Sequence, residues 1–142
     1  TVGTLVRQAR TPVRHPVIVV GAGQRPSPPG ETVPVGNGRA IALLAAREGA
    51  AVACVDAVAA AAEATVSLIA AEGGRAFAEL ADVRDAAAIA PLAARCAERL
   101  GGLDGLVLNV GISRGLPLDR ITADSWDRIW SSWCGGNVEM IR

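Results

Sequence analysis

The feature that most constrains this chain is a rhythm in which a short apolar, β-branched run is followed by an alanine-rich stretch or a turn, and then repeats. Residues 17–20, Val-Ile-Val-Val, stop at Gly21-Ala22-Gly23, as a buried strand does. Gly36-Asn37-Gly38 opens residues 39–48, rich in Ala and Leu and ended by Gly49, which reads as a helix with a glycine stop. Residues 51–55 read as a second strand ending at Asp56, and residues 57–72 as its helix, stopped by Gly73-Gly74. Residues 76–81 read as a third strand ending at Asp82-Val83. Residues 85–100 then read as a helix stopped by Gly101-Gly102, with Pro91 marking a kink or a later start. Residues 106–108 form a fourth strand ending at Asn109-Val110-Gly111. Thr122 is an N-cap for a last helix containing Trp126 and Ile129, with Asp124 at its positive end.

Strands joined by crossover helices form a parallel sheet with helices on both faces. The fold class is therefore α/β, with about four strands, and 142 residues suffice for one domain. Residues 1–16 read as an N-terminal extension without a signal peptide, and residues 17–142 as the domain. Residues 24–35 hold four prolines and one glycine and read as an inserted surface loop.

Composition narrows the function classes. Acids and bases balance, and all basic residues are arginines scattered along the chain, so no basic stripe marks a nucleic-acid partner. No apolar run is long enough to cross a bilayer. Cys54, Cys96 and Cys134 are odd in number and lack metal-site spacing, which fits reduced thiols in a cytoplasmic protein with no metal centre. His15 precedes the first strand and reads as a solvated surface residue.

Ligands of open parallel sheets bind beyond the carboxyl ends of the strands, which directs attention to Gly21, Asp56, Asp82-Val83 and Asn109-Val110-Gly111. Glycine at a strand-to-helix turn lets backbone N–H groups approach a pyrophosphate. Gly21, Gly36 and Gly38 have that placement, although turn punctuation explains them equally. Asp56 lies 18 residues beyond Gly38, near the spacing of a carboxylate that binds adenosine ribose hydroxyls. Such a carboxylate repels a 2′-phosphate and favours NAD over NADP; the competing role is a solvated cap of the next helix.

From about Val17 to Trp126 the chain resembles the N-terminal half of short-chain dehydrogenases/reductases, a Rossmann-like family. Gly21, Gly36 and Gly38 match the glycines of its Thr-Gly-x-x-x-Gly-x-Gly element, with Asn37 between the last two and Val20 in place of the threonine. Gly38-Arg39-Ala40-Ile41-Ala42 and Glu48-Gly49-Ala50 are similar to its first helix. Asp82-Val83 matches the pair that approaches the adenine, and Asn109-Val110-Gly111 the tail of its Asn-Asn-Ala-Gly element. The resemblance implies an oxidoreductase acting on alcohol or carbonyl groups of a small-molecule substrate, with NAD bound by Gly21, Gly36, Asn37, Gly38, Asp56, Asp82, Val83, Asn109 and Gly111. It also implies a homo-oligomer.

The departures bear on catalysis. Fourteen residues separate Gly21 from Gly36 where the family pattern has three; some members carry a Pro-Gly-containing insertion there. The loop is either a solvated excursion or a lid that brings Arg25 near phosphate. The family transfers hydride with a Tyr-x-x-x-Lys pair and a nearby Ser, and this chain has neither Tyr nor Lys, so no catalytic residue is assigned. Trp133 stands where the family's helix asparagine is found, Asn137 is out of register, and beyond Trp130 the sequence is a poor helix former. The chain reads as a fragment or truncated frame whose Trp126, Trp130 and Trp133 pack on a missing half or a partner. Two alternatives stay open: a non-catalytic nucleotide-binding module, and an S-adenosylmethionine-dependent methyltransferase-like domain.

Overall fold

The structure, a computed structural model, describes residues 15–27, 29–111, 117–135 and 138. Most of the N-terminal extension, and Asn137, lie outside the described residues. Strands β1 (Pro16–Val20), β2 (Ala51–Asp56), β3 (Arg75–Leu80) and β4 (Gly105–Leu108) form one sheet in the order β3-β2-β1-β4. All three pairings are parallel, with Ile18 opposite Ala53 and Leu106, and Val20 opposite Val55 and Leu108.

The two central strands are apolar on both faces because helices cover both. Alternation along β1 and β2 sends Ile18, Val20, Ala53 and Val55 to one side, against Ile89, Leu92 and Cys96. Val19, Val52 and Cys54 face the other side, against Ala42 and Ile69. The first face is covered by helices α3 (Ala86–Ile89) and α4 (Leu92–Leu100), the second by α1 (Asn37–Arg47) and α2 (Ala59–Ala71). Each fully buried Val or Ile here contributes about 1.5–3 kcal/mol through area removed from water. The outer strands β3 and β4 are only half-buried. On β3, Arg95 and Arg99 of α4 reach Glu79, and the Arg99 guanidinium lies 3.9 Å from the Phe77 ring centroid, so charged side chains cover the edge with their stems.

Several boundaries depart from the sequence expectations for local reasons. The 85–100 segment is two helices: the Asp85 carboxylate accepts from Ala87 N–H and Ala88 N–H to cap α3, and α4 starts at Leu92 after Pro91, which has no N–H to continue the ladder. Helix α2 begins at Ala59 rather than 57, since Asp56 Oδ1 accepts from Val58 N–H and holds 56–58 in a turn. At Gly101 the backbone turns left-handed, φ 82°, and its N–H closes on Ala97 O at 2.9 Å, the expected glycine stop. Helix α5 (Ala123–Trp130) has the Thr122 cap in full, with Thr122 and Ser125 exchanging side chain-to-backbone bonds. The poor helix sequence after Trp130 nevertheless continues as a wide π turn over Ser131–Gly135, its start bonded through Ser131 Oγ and Ser132 Oγ to Arg128 O and Ile129 O.

Glycine at position 38 lets α1 approach the turn that follows β1 closely. A Cβ at Gly38 would stand 1.8 Å from Gly21 O and 2.7 Å from Asn109 Nδ2. Gly38→Ala is therefore expected to cost about 3 kcal/mol or more, read as a lowered urea midpoint. Gly36→Ala, whose added Cβ would find no atom nearer than 3.7 Å, is expected to cost no more than about 1 kcal/mol.

Burial also sets the thiol chemistry. Desolvation pushes the Cys54 thiol up to about 12 and, as the main cause, the Cys96 thiol up to about 11. Folding thus favours the protonated thiols; that contribution is complete below the ordinary value of 9.0 and is lost as pH rises through 11 to 12. At pH 8, alkylation of Cys54 and Cys96, followed by mass spectrometry, is expected to track unfolding in urea. Rapid labelling of the native chain at either residue would contradict this burial.

Candidate functional site

All four strands end at one edge, and hydrogen bonds join the ends. Gly21, at φ 76°, turns the chain out of β1, a conformation that a β-carbon would strain. Its N–H donates to Val55 O of β2 at 2.8 Å, and its carbonyl accepts from Asn109 Nδ2 at 3.3 Å. Asn109 N–H in turn donates to Val20 O at 3.0 Å. One glycine therefore ties together the ends of β1, β2 and β4, and Gly38 of α1 lies directly against it.

The first turn of α1 supplies the donors. The N–H groups of its opening residues, Asn37 and Gly38, lie in the first turn, where the helix itself supplies no acceptor, and with the helix dipole such groups could hold an anion. The space over Gly36 is open, with Gly23 O its nearest neighbour.

Asp56 is anchored on both oxygens. Oδ2 accepts from Gly23 N–H at 2.8 Å and Oδ1 from Val58 N–H at 3.0 Å. The helix-cap role and the ligand role weighed for this residue are thus compatible. A carboxylate has about four lone-pair sites, so two remain for hydroxyl donors. Gly23 is obligatory here: a Cβ would come within 2.6 Å of Asp56 Oδ2 and of Ala61 Cβ.

Asp82 stands at the next strand end, which Ala81 N–H joins to Asp56 O at 3.1 Å. The Arg84 side chain grips both Asp82 oxygens, with Nε at 2.9 and 3.1 Å and Nη2 also on Oδ2. These bonds, above all, hold the Asp82 carboxyl below its ordinary range. Val83, expected beside it at the site, buries its side chain in the core with Ile89 and Leu92. At β4, a Cβ on Gly111 would lie 2.9 Å from the Trp133 ring. One edge of the Trp133 ring therefore lies against Gly111, although Trp133, like Trp126 and Trp130, exposes more than half of its surface.

Sequence reading brought out Gly21, Gly36, Asn37, Gly38, Asp56 and Asn109, and the fold gathers them; Asp82 and Gly111 flank the group. It missed Gly23, Gln24, Arg39 and Thr65. The Thr65 hydroxyl, fully buried, donates to Ala22 O at 2.8 Å and accepts from Arg39 Nε at 3.1 Å. Its signal was available: Ala62, Thr65 and Ile69 form the buried stripe of α2, and Thr65 is the polar member. His15 is exposed and pairs with Asp104 at 3.0 Å, at the opposite edge of the sheet. Among the described residues no group of His, Cys, Asp and Glu could hold a metal ion, and no helix is long and apolar enough to cross a membrane.

The chain's relatives accord with this geometry. A family model described as short chain dehydrogenase matches residues 34–142, beginning at the end of the inserted loop. The chain is 38% identical over 96 residues to 2,3-dihydro-2,3-dihydroxybenzoate dehydrogenase of Bacillus subtilis, covering 68% of this chain and 37% of the relative. It is 39% identical over 108 residues to sorbitol dehydrogenase of Cereibacter sphaeroides, covering 75% and 41%. A short-chain dehydrogenase/reductase from Burkholderia xenovorans superposes with a TM-score of 0.79 at 32% identity, over 91% of this chain and 49% of the other. A dehydrogenase/reductase from Sinorhizobium meliloti 1021 does so with 0.77 at 38% identity, over 90% and 47%. The chain thus spans less than half the length of these relatives. With the sheet order, the glycine turn and these relatives in agreement, the chain belongs to the short-chain dehydrogenase/reductase family, oxidoreductases of Rossmann-like fold that bind NAD(P) and act on small molecules.

Proposed function

We propose that residues 17–142 are the NAD-binding portion of an oxidoreductase acting on an alcohol or carbonyl group of a small molecule. The observation that carries the reading is the Asp56 carboxylate, fixed by Gly23 N–H and Val58 N–H with lone pairs to spare. In this reading those lone pairs accept the ribose hydroxyls, and the N–H groups of Asn37 and Gly38 meet the pyrophosphate. Gly36 leaves room for its approach, since a Cβ there would meet nothing within 3.7 Å. Asp82 and the backbone of Val83 flank the adenine side; Asn109 and Gly111 border the opposite end. A bound nicotinamide supplies hydride exchange with the substrate carbon. What this chain's own residues do is bind and orient: a rigid turn at Gly21, a polarised helix end, and a carboxylate whose charge disfavours a 2′-phosphate.

In the family, proton exchange with the substrate oxygen is carried by a Tyr-x-x-x-Lys pair, and this sequence has neither Tyr nor Lys. We therefore assign it no catalytic residue. That same observation favours a second reading, a nucleotide-binding module without chemistry. The methyltransferase-like alternative is set aside by the family match. We further place the protein in the cytoplasm as a homo-oligomer, in keeping with the buried thiols and the exposed Trp126 and Trp130.

Calorimetric titration tests the cofactor assignment. The chain is expected to bind NAD at least about tenfold more tightly than NADP, the effect of a like charge held near the 2′-phosphate. Asp56→Asn, which keeps one acceptor oxygen, should narrow that gap, and Gly36→Ala should weaken binding of both while leaving the urea midpoint nearly unmoved. Equal affinity for NAD and NADP in the parent chain would refute the assignment of Asp56 to the ribose.

A further inference from the structure

We infer that Gln24 is a positioning residue: its side-chain amide clasps the neck of the inserted loop and holds the start of α1 in register with Gly21. The need for a clasp follows from the sequence. Family members with three residues between the first two glycines close that turn through the covalent chain. Here fourteen residues intervene, and no helix or strand forms among the described ones, so backbone connectivity alone does not fix where Gly36 sits relative to Gly21.

The structure supplies the closure with side chains. Gln24 Oε1 accepts from Gly36 N–H at 3.2 Å and from Arg39 Nη1 at 3.3 Å. Gly36 is the N-cap of α1, and Arg39 is three residues into the helix. In an ordinary capping box, a Glu or Gln at that third position accepts from the N-cap N–H. Arginine cannot accept and Gly36 has no side chain to return the bond, so only the N-cap N–H half of such a box is made, by a glutamine twelve residues upstream, and Arg39 donates to the same oxygen. Arg39 also donates through Nε to Thr65, whose hydroxyl is bonded to Ala22 O beside Gly21. The two ends of the loop, Ala22 and Gly36, are thereby joined through Thr65, Arg39 and Gln24. The chain of bonds ends on Gly36 and Arg39, the residues on either side of Asn37 and Gly38, whose N–H groups the proposed function assigns to phosphate, and its bearing on NAD rests on that reading.

Amide hydrogen exchange and NAD titration on the same samples separate the two ideas. The reporter is Ala40 N–H, which bonds Gly36 O at 2.9 Å in the first turn of α1. In Gln24→Ala, Gly36 and Ala40 are expected to exchange about tenfold faster, the effect of losing bonds of ordinary net strength, while amides of β2 keep their protection. NAD affinity should fall by a similar factor. Gln24→Glu keeps an acceptor oxygen and should keep the protection. Deleting residues 24–34 leaves Ala22, Gly23 and Val35 between the glycines; this variant lacks Gln24 yet should protect Ala40 like the parent, because the chain itself closes the turn. Unchanged Ala40 exchange in Gln24→Ala, or protection lost in the deletion variant with the sheet intact, overturns the clasp. If the parent binds no dinucleotide while Gln24→Ala still loosens Ala40, the clasp stands and the NAD reading fails.

Discussion

The approach of α1 to β1 at two glycines governs this fold's working edge. The Cβ that Gly38 lacks would sit 1.8 Å from the Gly21 carbonyl and 2.7 Å from Asn109 Nδ2, so its absence permits two things at once. The helix end comes down onto the strand end, and Asn109 reaches the same carbonyl from β4. Without that approach, Gly21 could still bond Val55 across to β2, but α1 would stand away from the sheet, and its first N–H groups would no longer border the turn. The open donors of a helix terminus become a directed site only when the strand beneath holds them at a fixed height.

Separating the two glycines by a long loop costs less than its length suggests, because loop-closure entropy grows only logarithmically. What the loop removes is local certainty, and side-chain bonds replace it. Thr65, fully buried in α2, holds Ala22 O, so the helix that covers the sheet also fixes the turn. The family match starting at residue 34 reflects the same division: the inserted loop separates β1 and Gly21 from the matched stretch, although in space they meet Gly38 directly.

The fold was legible because it is written in patterns of short range. Apolar runs, each preceded by a helix with a glycine stop except the first, placed the strands to within a residue or so, and their parallel direction, though not their order, followed from the crossovers. Helix 85–100 was less so, since Pro91 was compatible with a kink or a restart, and only the Asp85 cap, which completes a separate first turn, decides for two helices. At the site, residues that act by having no side chain, or by standing at a strand end, could be found from position alone. Gln24 and Arg39 could not, because their partners are set by how the loop folds back. Val83 adds a distinction that the motif alone does not make. Its motif placed it correctly in the chain, yet packing claims its side chain for the core, leaving only its backbone at the edge.

Asp56 shows why a structural and a functional reading of one residue need not compete. A ligand-binding carboxylate that swung freely would lose rotamer entropy on binding. Two backbone N–H groups, one from the turn after β1 and one from the start of α2, fix its plane beforehand, so that loss is met on folding instead of on binding. Each N–H uses a single lone pair and leaves the others available as acceptors. On the proposed assignment to the ribose, the bonds that make Asp56 look like a cap are therefore the ones that would preorganise it as an acceptor. Gly23 completes the arrangement, for a Cβ there would come within 2.6 Å of Oδ2; the third glycine of this edge is defined by the carboxylate it accommodates, as the other two are defined by the helix.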